Sequence, residues 1–241
     1  MCVINCINSK DEYPTESQIN DMSEANPHFC SIAYFDESKK VLVYKKGIEK
    51  KEIKKILKMC KFKNFNKIVC HYRIASSGSA KNKALNHPFE ISNSHDLLQN
   101  DSCHNDLFFH NGTIDMEILN DIAIKIIIEN PKVIYPKGEI SDSKLLAFII
   151  GHTNTSILRL FPKEKFTIFT KDGRIINYGG FEKVKNIHCS NSYFDEPKNI
   201  TWFNNDYMQE SEKNESLRLQ KKYDVEGNNE VILKLMENEN I

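Results

Sequence analysis

Two stretches of this chain double back on themselves. "CSIAYFD" (30–36) and "VLVYKK" (41–46) are strand-like runs parted only by "ESKK", and "KFTIFT" and "GRIINYG" are joined by "KDG". Connections this short permit antiparallel pairing alone, because a parallel partner needs a crossover of a dozen residues or more. Further short strands are expected at "MCVINC", at "KIVCHYR" (67–73), at "HPFEI" and at "DLFFH". Between them lie helical patterns. Residues 16–25 suit a short polar helix. Residues 48–60 place Ile48, Ile53, Ile56, Leu57 and Cys60 on one face, with lysines outside. Residues 115–128 and 141–152 have the same periodicity, the second with Ser141 or Asp142 as N-cap. Strand pairs enclosed by helices define an α+β fold with antiparallel sheets.

Composition removes several function classes. Lys+Arg and Asp+Glu number 33 each, so no net field draws nucleic acid or an anionic membrane. The lysine-rich face of 48–60 reads as a solvated helix surface. No apolar run nears the length of a membrane span, "LLAFII" (145–150) being the densest, and the N-terminus lacks the basic and apolar regions of a secretory signal. The seven cysteines include no C-x-x-C pair, and the eight histidines show no ligand spacing. Neither a disulfide framework, a metal site nor a cofactor is expected, and a reducing cytoplasm is the expected compartment. With 241 residues the chain can bury a proper core. Beyond about residue 195 the composition turns to Asn, Glu, Lys and Asp. Residues 1–195 are therefore expected to form the domain, and 196–241 a polar tail, loosely attached or disordered.

"FFHNGTI" (108–114) stops a hydrophobic strand on His-Asn-Gly. Asn-Gly is the strongest short hairpin signal, so a plain turn is one reading. The other is that a rigid strand end presents an amide side chain and an unobstructed backbone N–H to a site. Cys2 offers a second clue. If Met1 is removed, its thiol sits beside a free α-amine whose ordinary pKa of about 7.7–8.0 suits a general base.

In order behind Cys2 come "HYRIASSG" (71–78), "NHPF" (86–89), "HNG" (110–112), "SDS" (141–143) and "HCSNSYF" (188–194). Together these resemble the class II glutamine amidotransferases, specifically a stand-alone glutaminase domain, over about residues 2–195. The resemblance implies an Ntn-hydrolase fold, an αββα sandwich of two antiparallel sheets between helical layers. It implies hydrolysis of the glutamine side-chain amide through a Cys2 γ-glutamyl thioester, giving glutamate and ammonia, the latter passing to water or to a separate synthetase. By that resemblance Cys2 is the nucleophile, and Asn111 and Gly112 donate to the oxyanion, a contribution of about 3–4 kcal/mol per donor. Arg73 holds the substrate α-carboxylate and Asp142 its α-ammonium, with Ser76 and Gly78 as further substrate-binding residues. His71, His87 and His110 are structural supports rather than bases.

Some residues depart from the family pattern. Val3 follows the cysteine where many relatives have glycine. Phe29 and Ser31 stand near two family glycines, and Ile74 and Ser77 replace residues common in synthase-linked enzymes. These bear on pocket shape more than on the nucleophile. Two alternatives therefore remain beside glutamine hydrolysis: an Ntn amidohydrolase for another small amide, or a non-catalytic binding module on the same scaffold.

Overall fold

The structure, a computed structural model, describes residues 2–75, 81–91, 102–103, 105–136 and 138–195. The chain divides into a unit Met1–Glu196 and a unit Pro197–Ile241. The expected tail lies outside the described residues, as do Ser76, Ser77 and Gly78.

In chain order the elements are β1 (Val3–Ile7), α1 (Glu16–Ala25), β2 (Cys30–Asp36), β3 (Val41–Ile48), α2 (Lys50–Phe62) and β4 (Ile68–Tyr72). There follow β5 (Phe89–Ile91), β6 (Ser102–Cys103), β7 (Asp106–Asn111), α3 (Met116–Glu129) and α4 (Asp142–His152). Last come β8 (Lys165–Phe169), β9 (Ile175–Tyr178), β10 (Glu182–Val184) and β11 (Ile187–Cys189). A seven-stranded sheet runs β10-β11-β1-β4-β2-β3-β6, and a four-stranded sheet runs β5-β7-β8-β9. Every strand pair is antiparallel.

Local chemistry sets the hairpins. After β2, the Asp36 carboxylate accepts from the N–H groups of Ser38 and Lys39 at 3.0 and 3.2 Å, an Asx turn that reverses the chain. Between β8 and β9, Gly173 takes φ 86° and donates to Thr170 O at 2.8 Å. A Cβ there would meet the Phe35 ring at 2.8 Å, so the turn needs glycine. The Thr15 hydroxyl and Gln18 form a reciprocal capping box that starts α1.

Strand alternation divides the large sheet's side chains between two cores. On one face, Val3, Ile7, Ile32, Ile68, Cys70 and Tyr72 pack against Met22 of α1 and Ile53, Leu57 and Cys60 of α2. On the other, Ile4, Cys6, Ala33, Leu42, Tyr44 and Val69 meet Leu107, Phe109 and Phe169 of the small sheet. The small sheet's far side is covered by α4, which contacts β5 and β7 and is itself packed on α3. Residues Leu145 to Ile150 of α4 are all buried, the sign of a helix covered on every side.

One expectation is corrected and one alternative is removed at element ends. Ile48 does not join the α2 face; it closes β3 opposite Cys30, because Gly47 at φ 65° turns the backbone before the helix begins. "HNG" is no hairpin: β7 ends at Asn111, and the chain runs through Gly112–Ile114 into α3, while β7 pairs with the distant β5 and β8.

The two-sheet core makes a direct stability prediction. Phe109 is fully buried between the sheets, and Phe62 is 87% exposed. Phe109→Ala should cost about 3–5 kcal/mol in urea unfolding, and Phe62→Ala should stay within about 0.5 kcal/mol of the parent.

Candidate active site

The register of β1 on β4 sets the centre of the site. Val3 faces Tyr72 and Ile4 faces His71, so the next step along the ladder brings Cys2 beside Arg73. Ile4 lies on the inter-sheet face, and alternation carries Cys2 to that side. The half-buried Cys2 thiol donates to Ile74 O at 3.4 Å. Burial pushes that thiol up from its ordinary pKa, and the positive charge of Arg73 acts against the rise while Asp142 adds to it. Arg73 is 5% exposed. Its backbone is clamped by Phe29, whose carbonyl takes the Arg73 N–H at 3.1 Å, and by His28, whose N–H donates to Arg73 O at 3.0 Å. Phe29 holds φ 69°, a left-handed conformation uncommon for a bulky side chain.

Ser190 and Asn191 follow β11 and join the parts. The Ser190 hydroxyl accepts from Ile4 N–H at 2.9 Å and from the Asn111 amide at 2.8 Å. The Ser190 N–H returns a bond to Ile4 O at 2.9 Å, and the Lys165 ammonium donates to Ser190 O. Asn191 donates its amide to Cys2 O at 2.6 Å. Adjacent residues thus hold Cys2 by its carbonyl and Asn111 by its side chain. The amide oxygens of Asn111 and Asn191 are buried with no hydrogen-bond partner among the described residues. Orphaned acceptors of this kind call for a ligand or water donor.

Asp142 sits at the other side of the Asn111 turn. It is the first residue of α4, and the N-cap is Ser141, whose hydroxyl accepts from Lys144 N–H. The buried Asp142 carboxylate accepts from Ile114 N–H at 3.0 Å and Ser143 N–H at 2.7 Å. It therefore ties the segment after Gly112 to the start of α4, leaving part of its lone-pair capacity. Gly112 is crowded by Glu164: a Cβ on Gly112 would fall 1.3 Å from Glu164 Oε2.

The three histidines are buried and knitted into the interior. His71 Nε2 lies 3.3 Å from His110 O, and only a donating N–H suits a carbonyl. Burial lowers the His71 pKa to about 3 and holds His87 well below its ordinary value. The His71 and His87 rings lie 4.2 Å apart. An imidazole this weakly basic is a poor general base near neutrality.

Of the residues singled out from sequence, the structure relates Cys2, Arg73, Asn111, Gly112, Asp142 and the three histidines at one end of the sheet pair. Val3 points away, into the core under α1 and α2. Ser31 is buried, its hydroxyl 3.4 Å from Gly47 N–H. Glu164, Lys165 and the bonding roles of Ser190 and Asn191 were not foreseen; an S-N pair was visible, but nothing local marks its partners more than 75 residues away. An open groove of about 620 Å³ lies elsewhere, between β3 and α2, and none of these residues lines it. Among the described residues no three His, Cys, Asp or Glu side chains cluster as metal ligands, and no helix is long and apolar enough to cross a membrane. No protein-family model matches the chain, and no curated protein matches it.

Burial of neutral His71 fixes a pH dependence. Its folded pKa of about 3 lies below the unfolded value of about 6.5, so between these limits the unfolded chain binds the extra proton. The stability that neutral His71 contributes is fully present above pH 6.5 and is lost as pH drops towards 3. His71→Gln, which can still donate to His110 O, should flatten the slope of unfolding free energy between pH 4 and 6 by about 1.4 kcal/mol per pH unit. Denaturant titrations across that range test it.

Proposed function

We propose that this chain is an Ntn-type amidohydrolase of αββα architecture that hydrolyses the side-chain amide of glutamine, with Cys2 as the terminal nucleophile after loss of Met1. The observation that carries this reading is the Ser190–Asn191 bridge, whose adjacent residues hold the Cys2 carbonyl and the Asn111 amide. A thiol raised by burial is protonated at neutral pH and needs a base at the moment of attack. His71, at about 3, is unsuited to that role. The α-amine of a processed Cys2 is suited to it.

In the proposed reaction the amine takes the thiol proton as sulfur attacks the amide carbon. The Asn111 amide and Gly112 N–H stabilise the oxyanion. Collapse breaks the C–N bond, the ammonium returns its proton to the leaving nitrogen, and ammonia departs to water or to a separate synthetase. Water then adds to the γ-glutamyl thioester with the amine again as base, releasing glutamate and the thiol. Arg73 pairs with the substrate α-carboxylate and Asp142 with its α-ammonium. A second reading, the same chemistry on another small amide, draws on Phe29, whose backbone is bonded to that of Arg73 and which stands near a position where the resemblance has glycine.

Protein beginning at Cys2 should release ammonia from glutamine, and Cys2→Ala should fold and release none. Full activity in Cys2→Ala, or in protein retaining Met1, would sink the terminal-nucleophile mechanism.

Charge matching tests the substrate. Arg73→Lys keeps the charge but loses the bidentate fork. Asp142→Asn should lower kcat/KM for glutamine by about 2–5 kcal/mol, the range for removing one partner of a desolvated pair. An unsubstituted aliphatic amide carries neither charge, so its slow turnover should be little changed by either substitution. Equal losses on both substrates would remove the two residues from substrate binding.

A further inference from the structure

Glu164 takes no part in the chemistry proposed above, yet it lies against its centre. It ends the turn after the short 3₁₀ segment Thr155–Leu160, its N–H donating to Phe161 O at 3.1 Å, and it immediately precedes β8. One carboxylate oxygen, Oε2, makes all the relevant contacts. It accepts from Thr113 N–H at 3.0 Å and lies 3.2 Å from His110 Nε2. It also fills the place where a Gly112 side chain would begin. Glycine therefore does more here than clear a path for substrate: it admits a carboxylate to the backbone of the turn.

The contacts continue inward. A carboxylate accepts only, so His110 Nε2 carries the proton shared with Glu164. His110 Nδ1 lies 2.9 Å from Ser143 Oγ, which lies 3.2 Å from Asp142 Oδ1. The single hydroxyl proton of Ser143 serves one of those two neighbours at a time. On the opposite side the next residue, Lys165, bonds Ser190 O, and the Ser190 hydroxyl takes the Asn111 amide. Two consecutive residues thus grip the turn from both flanks, Glu164 at Gly112–Thr113 and Lys165 through Ser190 at Asn111.

We infer that Glu164 is the positioning residue of the Gly112–Thr113 segment of the turn, fixing the aim of the Gly112 oxyanion donor. This role rests on the reading of Cys2, Asn111 and Gly112 as the reaction centre. A charge-assisted bond to a backbone N–H is stronger than a neutral one, and it restrains the peptide adjoining Gly112 without touching substrate. Oxyanion donors act in the transition state only when already aimed, so loss of the restraint should lower kcat rather than weaken binding.

The test compares wild type, Glu164→Ala and Glu164→Gln, each beginning at Cys2, by ammonia release from glutamine and by the rate of Cys2 alkylation with iodoacetamide. Glu164→Ala should lower kcat by about 100-fold or more, the cost of misaiming an oxyanion donor. KM should stay within about threefold, since ground-state binding is untouched, and alkylation, which forms no oxyanion, should keep its rate. Glu164→Gln retains an oxygen able to accept from Thr113 and should recover most of the loss. Unchanged kcat in Glu164→Ala overturns the role, as does a kcat loss matched by slower alkylation or a comparable rise in KM. Should Glu164→Ala fail to fold, Glu164→Asp, whose carboxylate is one methylene short of the turn, carries the same comparison with the same criteria. A wild type that released no ammonia would sink the hydrolase reading and this role with it. An active wild type beside an equally active Glu164→Ala would sink the role alone.

Discussion

The backbone pairing of β1 on both its edges is the constraint on which the site depends. This strand lies inside the seven-stranded sheet, between β11 and β4, and Val3, Ile4, Asn5, Cys6 and Ile7 are fully buried. Ile4 is bonded through both its N–H and its C=O to Ser190. One residue earlier, the Asn191 amide takes Cys2 O. Position 2 thus inherits the rigidity of a central strand. A nucleophile located there would meet the geometric demand of catalysis through the sheet itself.

That rigidity is gained together with an electrostatic cost. The space between the sheets is dry enough to hold His71 and His87 neutral, and burial lowers Lys46 to about 7 although it donates to Ala84 O and Pro88 O at 3.2 and 3.3 Å. The same dryness strengthens any interaction between a fixed dipole and a developing charge. Polar groups stripped of water are costly when unpaired and effective when aimed. The orphaned acceptors of Asn111 and Asn191 belong to this setting. The Ser190–Asn191 pair holds both amides, one bonded to Ser190 and the other to the Cys2 carbonyl.

How much of this was legible depends on the range of the interactions. The hairpins β2–β3 and β8–β9 were readable because turn chemistry is local: Asp36 closes one and Gly173 the other. The amphipathic face of α2 was readable from Ile53, Leu57 and Cys60, but Ile48 shared the same spacing and went to β3, since period alone cannot see Gly47 turning the chain. Asn-Gly alone could not decide between a hairpin and a strand end for the converse reason; the partners of β7 lie in β5 and β8, beyond any local pattern. Asp142 was foreseen at the mouth of a helix, though Ser141 takes the cap and Asp142 holds Ile114. Glu164 was invisible because its meaning lies in a gap left by Gly112, and the two residues are 52 positions apart with no shared motif.

Phe29 shows how the sheet sustains an unfavourable local choice. A left-handed backbone costs an ordinary L-residue about 1–2 kcal/mol, and β-bulge or turn positions of this kind usually fall to glycine. At Phe29 the register between β2 and β3 shifts just beyond it, between Cys30 and Ser31. The conformation persists with the Phe29 carbonyl bonded to the Arg73 N–H and the neighbouring His28 N–H bonded to Arg73 O, and the Lys83 ammonium stands 5.2 Å over the ring. The strain and the guanidinium are therefore coupled: relaxing φ at residue 29 would break the bonds that set the Arg73 backbone. Strain kept in place by so many partners is more consistent with a constraint on the site than with a tolerated defect. In the proposed reaction the residue constrained is the one that would hold the substrate's carboxylate, and it stands next to the thiol across a single step of the β1–β4 ladder.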